Sequence, residues 1–267
     1  MRYAFAVAAL LLTASAVAQT AAPLPHHPRF GEPDPADFND HTGFVSIFDG
    51  KTLNGWDGDP AVWHVADGAI VARATREHPL PNTYIAYRAV TAHDFDLKLE
   101  VKVEQGGGTG IQYRSQTGVP WMSPPRAGFT LPPAKWLMTG PQADFWYPVD
   151  EKHEQYSGQF YSENTPLGIL AWRGQVTEAE ADGSPRLVGT IGDRKQLGTL
   201  VKTGEWNQYE VIARGPVLMH ILNGQLMSVY IDDNAGSSNN KPGMIGIELE
   251  GAPTVISVRN LWLHKIN

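Results

Sequence analysis

Four short stretches carry side chains able to move protons. "GIQYRS" (110–115) holds Gln112 and Arg114, "GPQADF" (140–145) holds Gln142 and Asp144, and "MIGIELEG" (244–251) holds Glu248 and Glu250. In "LMHIL" (218–222), His220 interrupts an otherwise hydrophobic run. In the first three, polar residues two apart alternate with apolar ones: Ile111 and Tyr113, Ala143 and Phe145, Ile245, Ile247 and Leu249. That is the period of a strand with one dry face and one polar face. If the strands are neighbours in a concave sheet, Arg114, Asp144, His220, Glu248 and Glu250 converge on one surface. Such a set mixes carboxylates, an imidazole and a guanidinium, the residue types that acid–base sites use. A solvated sheet face is also polar, but these faces are sparse and mixed in sign, unlike the Lys/Glu row of "DFDLKLEVKVE" (94–104). Trp121, Trp136, Trp146 and Tyr147 fall on loops beside them, the rigid apolar surfaces on which sugar rings pack.

Other chemistries find little support. "GGGTG" (106–110) lacks the Gly-Lys-Ser/Thr ending and the following helix of a phosphate loop, and reads as a flexible turn. No Gly-x-Ser-x-Gly elbow and no His-Glu-x-x-His motif occurs, and the absence of cysteine excludes thiol chemistry and disulfides. A net charge of −7 offers no basic footprint for nucleic acid or anionic lipid.

The elements that must position these residues are short strands. The 27 glycines and 20 prolines among 267 residues suit many turns. Asp67-Gly68 and Asn223-Gly224 are tight-hairpin signals. In "DFDLKLEVKVE", Phe95, Leu97, Leu99, Val101 and Val103 face one way and the charged residues face water, as in an antiparallel sandwich. Trp56, Trp63, Trp206 and Trp262, in or beside strand patterns, are expected in the core. Two long inserts, 116–139 (which includes Phe129) and 173–203, read as irregular loops. The expected fold is all-β: a two-sheet antiparallel β-sandwich of jelly-roll type. The N-terminus has the form of a signal peptide over residues 1–18, with Arg2, an apolar run from Ala4 to Leu12 too short to span a membrane, and Ala16-Val17-Ala18 for cleavage. Residues 19–42 read as an extended arm or linker, and His26-His27 within it as solvated side chains; the domain proper is expected over 43–267. These features predict a periplasmic or secreted protein with no membrane span.

The ordered stretches "GFVSIFDGKTLNGW", "WHVADGAIVA", "DFDLKLEVKV", "GTGIQYRS", "GPQADF", "YSGQFY", "GILAWRGQ", "GEWNQYEVIARG", "HILNGQLMSVYID", "GMIGIELEG" and "VRNLWLHKI" together resemble the bacterial 3-keto-disaccharide hydrolase domain family, over roughly residues 43 to 266. The resemblance implies a concanavalin-A-like jelly roll, usually exported, that acts on glycosides whose C3 hydroxyl has been oxidised to a ketone and is often paired with a sugar dehydrogenase. It matches the arginine of one strand to Arg114, a polar pair to Gln142 and Asp144, and a hairpin to His220 through Gly224. Relatives often have Gln and His where this chain has Glu248 and Glu250. A C3 ketone acidifies the C2 proton, so the glycosidic bond can break by elimination, followed by hydration. On this reading Asp144 or Glu248 is the base, Arg114 stabilises the enolate, and His220 or the second carboxylate protonates the leaving oxygen. Gln112, Gln142, Glu250, Trp121, Trp136, Trp146, Tyr156 and Arg173 would hold the sugar. No particular cofactor is implied, but Asp144, Glu248 and His220 could instead hold a divalent metal ion that polarises the ketone. The alternatives are a glycosidase of unoxidised sugars and a non-catalytic carbohydrate-binding module.

Overall fold

The computed structural model describes residues 31, 33–122, 133–151, 153–234, 236–251 and 253–266. The expected signal peptide, most of the expected arm, His26-His27 and Phe129 lie outside the described residues. Residues 1–36 and 37–267 form separate units, and the second carries every strand among the described residues.

The two Asx-Gly signals fold as expected. Asp67 and Gly68 have φ of 50° and 74°, and Asn223 and Gly224 have 49° and 80°, the left-handed pair that closes a two-residue hairpin. The strands are β1 (Val45–Ser46), β2 (Trp56–Gly58), β3 (His64–Ala66), β4 (Ala69–Ala74), β5 (Thr83–Ala92), β6 (Phe95–Val103), β7 (Gly108–Thr117), β8 (Met138–Trp146) and β9 (Phe160–Glu163). They continue with β10 (Gly168–Ala171), β11 (Gln175–Ala179), β12 (Pro185–Thr190), β13 (Asn207–Arg214), β14 (Val217–Leu222), β15 (Gln225–Ile231), β16 (Gly243–Leu249) and β17 (Thr254–Lys265). One short helix, α1 (Arg194–Gly198), is capped by the Asp193 carboxylate.

The larger sheet runs β12-β11-β15-β14-β13-β6-β17-β4-β3, with β1 added on β17; the smaller runs β10-β9-β8-β7-β16-β5-β2. Pairing is antiparallel except between β11 and β15. The sheets pack face to face as a jelly-roll sandwich. Leu97, Leu99, Val101, Tyr209 and Val211 of the larger sheet meet Ile111, Tyr113, Ala143, Phe145, Ile245 and Ile247 of the smaller in one hydrophobic core. Among the described residues no helix is long and apolar enough to cross a membrane.

Three expectations need correction. The outer face of β6 is not all in water: Lys98 is buried, its Nζ donating to the carbonyls of Asp37 and Asp40 and sitting 4.9 Å from the Phe44 ring. Trp56 and Trp63 are core residues, but Trp206 and Trp262 are half-buried. Trp262 stacks on His41 outside the sandwich and Trp206 carries the Arg259 guanidinium 4.0 Å above its ring. Residues 173–203 are not irregular either. A turn at Asp182-Gly183 joins β11 to β12, which extends the larger sheet; the exposed pattern of β12 gave little hydrophobic period to detect.

Candidate active site

The polar surface forms on the outer side of the smaller sheet, where β9, β8, β7, β16 and β5 lie side by side. Glu248 is opposite Tyr84, Gln112 opposite Gln142, and Gly110 opposite Asp144. Because side chains alternate, Ile247 and Ala143 enter the core while Glu248, Gln142 and Asp144 point away from it. The glycine-rich run acquires a use here. A methyl on Gly110 would overlap the Gln142 amide and one on Gly108 the Trp146 ring, so both side chains lie flat across bare backbone of β7.

Gln142 is the hub. Its Nε2 donates to Asp144 Oδ1 and to Glu248 Oε2, both at 2.7 Å. Its oxygen accepts from the Gln112 amide, whose own oxygen is held by Ser115 Oγ at 2.8 Å. This chain of donors sets which end of the Gln142 amide faces the acids. Glu248 also accepts from Asn82 Nδ2 at 2.8 Å and lies 3.0 Å from the Tyr84 hydroxyl. The Gln159 Nε2 is 2.5 Å from Asp144 Oδ2, and the Gln159 oxygen has no hydrogen-bond partner. Turning that amide over would place the oxygen where it accepts a proton carried by Asp144.

Four carboxyls, Asp144, Glu163, Glu248 and Glu250, share this face, and burial raises all of them. Asp144, 3% exposed, is pushed from 3.8 to about 8 by burial, with the charge of Glu248 adding to the rise and the amides of Gln159 and Gln142 opposing it. Glu163 is held well above the carboxylate range by burial and then by Glu248. Glu250 is raised in the same way. Burial also raises Glu248, but three donors, Tyr84, Gln142 and Asn82, work against it. Of the four, Glu248 is therefore the best placed to be an anion and Asp144 to be a neutral acid.

Two residues expected in this cluster are elsewhere. Arg114 sits at a break in the β7 register between Gln112 and Gln116, with φ of 48°, and the irregularity turns its side chain out of the polar row. Its guanidinium is buried, donating to the carbonyls of His93, Gly215 and Asn239 and to Asp94 Oδ1, and so ties three loops together. His220 belongs to the larger sheet and points into the core. Its Nδ1 faces the Gln159 carbonyl at 3.1 Å, which makes it the protonated nitrogen, and its Nε2 accepts from Tyr113 at 2.6 Å. Burial lowers it to about 3. A neutral, enclosed imidazole behind Gln159 supports the site's backbone and reaches no substrate. Arg173 is likewise buried, its Nη1 donating to the carbonyls of Glu154 and Ser157.

The aromatic candidates flank the cluster on different sides. Trp121 packs with Tyr84, Ala86, Leu137 and Met138. Trp136 donates to Asp57 Oδ1 at 3.1 Å, beside the Arg88–Asp57 ion pair. Trp146, expected on a loop, is instead the last residue of β8, two residues from Asp144 on the same face, and meets His153 and Tyr156 at ring separations of 5.1 and 5.2 Å. It borders a cleft of about 110 Å³ shared with Glu154, Ser157 and Thr203. With His220 removed from the set, no group of three or more His, Asp or Glu among the described residues is arranged to hold a metal ion.

Sequence reasoning missed Tyr84, Asn82, Gln159, Tyr161 and Glu163. Tyr161 and Glu163 carry the same signal as Gln142 and Asp144, polar residues two apart alternating with a buried Phe160 and Ser162. Tyr84 was hidden in the apolar run "TYIAY".

Residues 43–264 match the family model of the 3-keto-alpha-glucoside-1,2-lyase-like domain. A 3-keto-disaccharide hydrolase of Bacteroides thetaiotaomicron is 35% identical over 85 residues, a match spanning 29% of this chain and 29% of that protein. Two crystal structures of Parabacteroides distasonis proteins described as candidate glycosyl hydrolases superpose with TM-scores of 0.51 at 17% and 18% identity. The first covers 85% of this chain and 95% of the other; the second covers 84% and 99%. At those identities the likeness speaks to the fold. With its two-sheet sandwich and a family match over most of its length, the chain belongs to the 3-keto-alpha-glucoside-1,2-lyase-like domain family.

Proposed function

We propose that the protein cleaves 3-keto-glycosides by elimination across C1–C2, followed by hydration of the enone. Glu248 is the base that takes the C2 proton and Asp144 the acid that protonates the leaving oxygen. The observation that carries this reading is the single amide nitrogen of Gln142, 2.7 Å from an oxygen of each carboxyl. The bonds to be broken are on adjacent carbons, and the two carboxyls that would serve them are bridged by one atom. Their environments also push them apart in the required sense. Asp144, at about 8, is roughly nine-tenths protonated at pH 7, whereas Glu248 is ringed by donors. The proton count closes: Glu248 gains one and Asp144 gives one in the elimination. In the hydration Asp144 takes a proton from water and Glu248 returns one to C2.

The enolate oxygen needs a donor that Arg114 does not supply. Tyr161, opposite Gln142 on the same face, is a neutral hydroxyl, since burial and then Glu163 raise it. Trp146 and Tyr156 would line the leaving-group side. Family membership and the name of the Bacteroides relative favour a 3-keto-disaccharide as substrate, and an upstream oxidation at C3 would supply it. The N-terminal Arg2, apolar run and Ala16-Val17-Ala18 favour export of the enzyme.

The test is to incubate purified protein with a 3-keto-glucoside and with its unoxidised parent, with and without chelator. Release from the keto compound alone is expected. Release from the parent would mark a plain glycosidase, and binding without release a carbohydrate-binding module.

A further inference from the structure

The hydroxyl of Tyr84 lies 2.8 Å from Glu163 Oε1 and 3.0 Å from Glu248 Oε1. A phenol has one proton to donate, so it can serve only one of these oxygens. The other contact is a hydrogen bond only if that carboxyl is itself protonated and donates to the tyrosine oxygen. Ionising Tyr84 offers no way out, because burial and the two acids hold its hydroxyl well above the ordinary range. This geometry lets Glu163 and Glu248 share one proton through the tyrosine. In one arrangement Glu163 is the acid and Glu248 the anion; in the other the roles are exchanged, and both O–H bonds have moved over.

The remaining described partners of the Glu248 carboxyl are the amides of Asn82 and Gln142. Both donate N–H and neither takes up a proton, so among the described residues Tyr84 is the proton exit from Glu248. Glu163 is also the most exposed of the three, at 5% against 0% for Tyr84 and 1% for Glu248. We propose that Glu163, Tyr84 and Glu248 form a proton relay that carries the hydrogen taken from the substrate at C2 out to solvent. This rests on Glu248 being the base. The steps balance without a further reactant. The C2–H bond breaks and Glu248 gains the proton, while Glu163 loses its own to water. Tyr84 then accepts the proton of Glu248 as it passes its own to the Glu163 carboxylate. Glu248 is left an anion; before hydration the same steps run in reverse, Glu163 handing its proton through Tyr84 to Glu248 and taking another from water, so the hydrogen that Glu248 returns to C2 comes from solvent. Tyr84 and Glu163 are thus positioning residues that act through Glu248.

The experiment is turnover of a 3-keto-glucoside in D₂O, with mass analysis of the first-formed 3-keto sugar and of the remaining substrate. The wild type is expected to place deuterium at C2 of most product molecules. Tyr84→Phe removes only the hydroxyl, and Glu163→Gln keeps the shape but cannot pass a proton. Both are expected to turn over more slowly and to return the original hydrogen, with label at C2 several-fold below wild type; a merely structural role for Tyr84 would lower the rate without changing the label. If both variants label C2 as fully as the wild type while cleaving substrate, Glu248 exchanges with solvent directly and the relay is wrong. If the wild type cleaves nothing, the reading on which the relay rests fails first, and the relay with it.

Discussion

Replacing Asp144 by asparagine should make the protein more stable while disabling it. In the folded chain burial keeps the Asp144 carboxyl protonated up to about pH 8, whereas in the unfolded chain it ionises near 3.8. Between those values the folded state holds a proton that the unfolded state has lost, so stability falls as pH rises, by about 1.4 kcal/mol per unit. At pH 7 the accumulated cost is about 4 kcal/mol, a large share of the roughly 5–15 kcal/mol that holds a domain together. Asparagine cannot ionise in either state. Its oxygen can still accept from Gln142 Nε2, and its amide would face Gln159, whose oxygen now has no partner. Urea unfolding of the two proteins from pH 4 to pH 8 measures the difference, with equal m-values confirming that the same surface is exposed. The gain should be near zero at pH 4 and grow to about 4 kcal/mol at pH 7, while turnover falls by about 10²–10⁴-fold. A gain that does not vary with pH, or a loss of stability at pH 7, would mean that Asp144 is an anion in the folded protein and cannot be the acid.

Other substitutions separate the residues that act from those that support. Gly110→Ala places a methyl against the Gln142 amide and should lower kcat/KM by about tenfold or more, with a stability loss of about 1–3 kcal/mol from overpacking, since misplacing the hub disturbs both acids. Arg114→Ala should cost about 3–5 kcal/mol in denaturant unfolding, because it removes a buried guanidinium from three loops; a lost kcat at unchanged stability would return Arg114 to the chemistry. His220 is neutral when folded down to about pH 3 but takes a proton below 6.5 when unfolded, so its contribution is full above pH 6.5 and is lost on acidification at about 1.4 kcal/mol per unit. His220→Gln, which keeps a donor for the Gln159 carbonyl, should remove that slope from acid unfolding curves and leave the upper limb of the pH–rate profile in place.

How far the residues foretold the site depends on what alternation can and cannot carry. The two-residue period of "GPQADF" and "GIELEG" places Gln142, Asp144 and Glu248 on one face because an undistorted strand has no other choice. The same inference fails for "GIQYRS". The irregularity at Arg114 shifts the period by a residue, and no local composition announces it, since arginine is not a residue that favours positive φ. His220 misleads for another reason: a lone polar residue in a dry strand reads alike whether it faces a ligand or a buried carbonyl, and only the stacking of β14 behind Gln159 decides. Glu163 and Tyr84 were legible in principle but had no neighbouring motif to draw attention to them. The glycines at 108 and 110 looked like a loose turn because their role, clearance for side chains of the next strand, is set by pairing with β8, which is distant in sequence.

The central claim is that Glu248 removes the C2 proton of a 3-keto sugar. It is tested most directly by comparing a 3-keto-glucoside carrying hydrogen at C2 with one carrying deuterium there, in the wild type and in Glu248→Gln. Slower release from the deuterated compound by the wild type, and loss of release from both by the variant, is the expected result. Equal rates for the two compounds, together with full activity in Glu248→Gln, would contradict it.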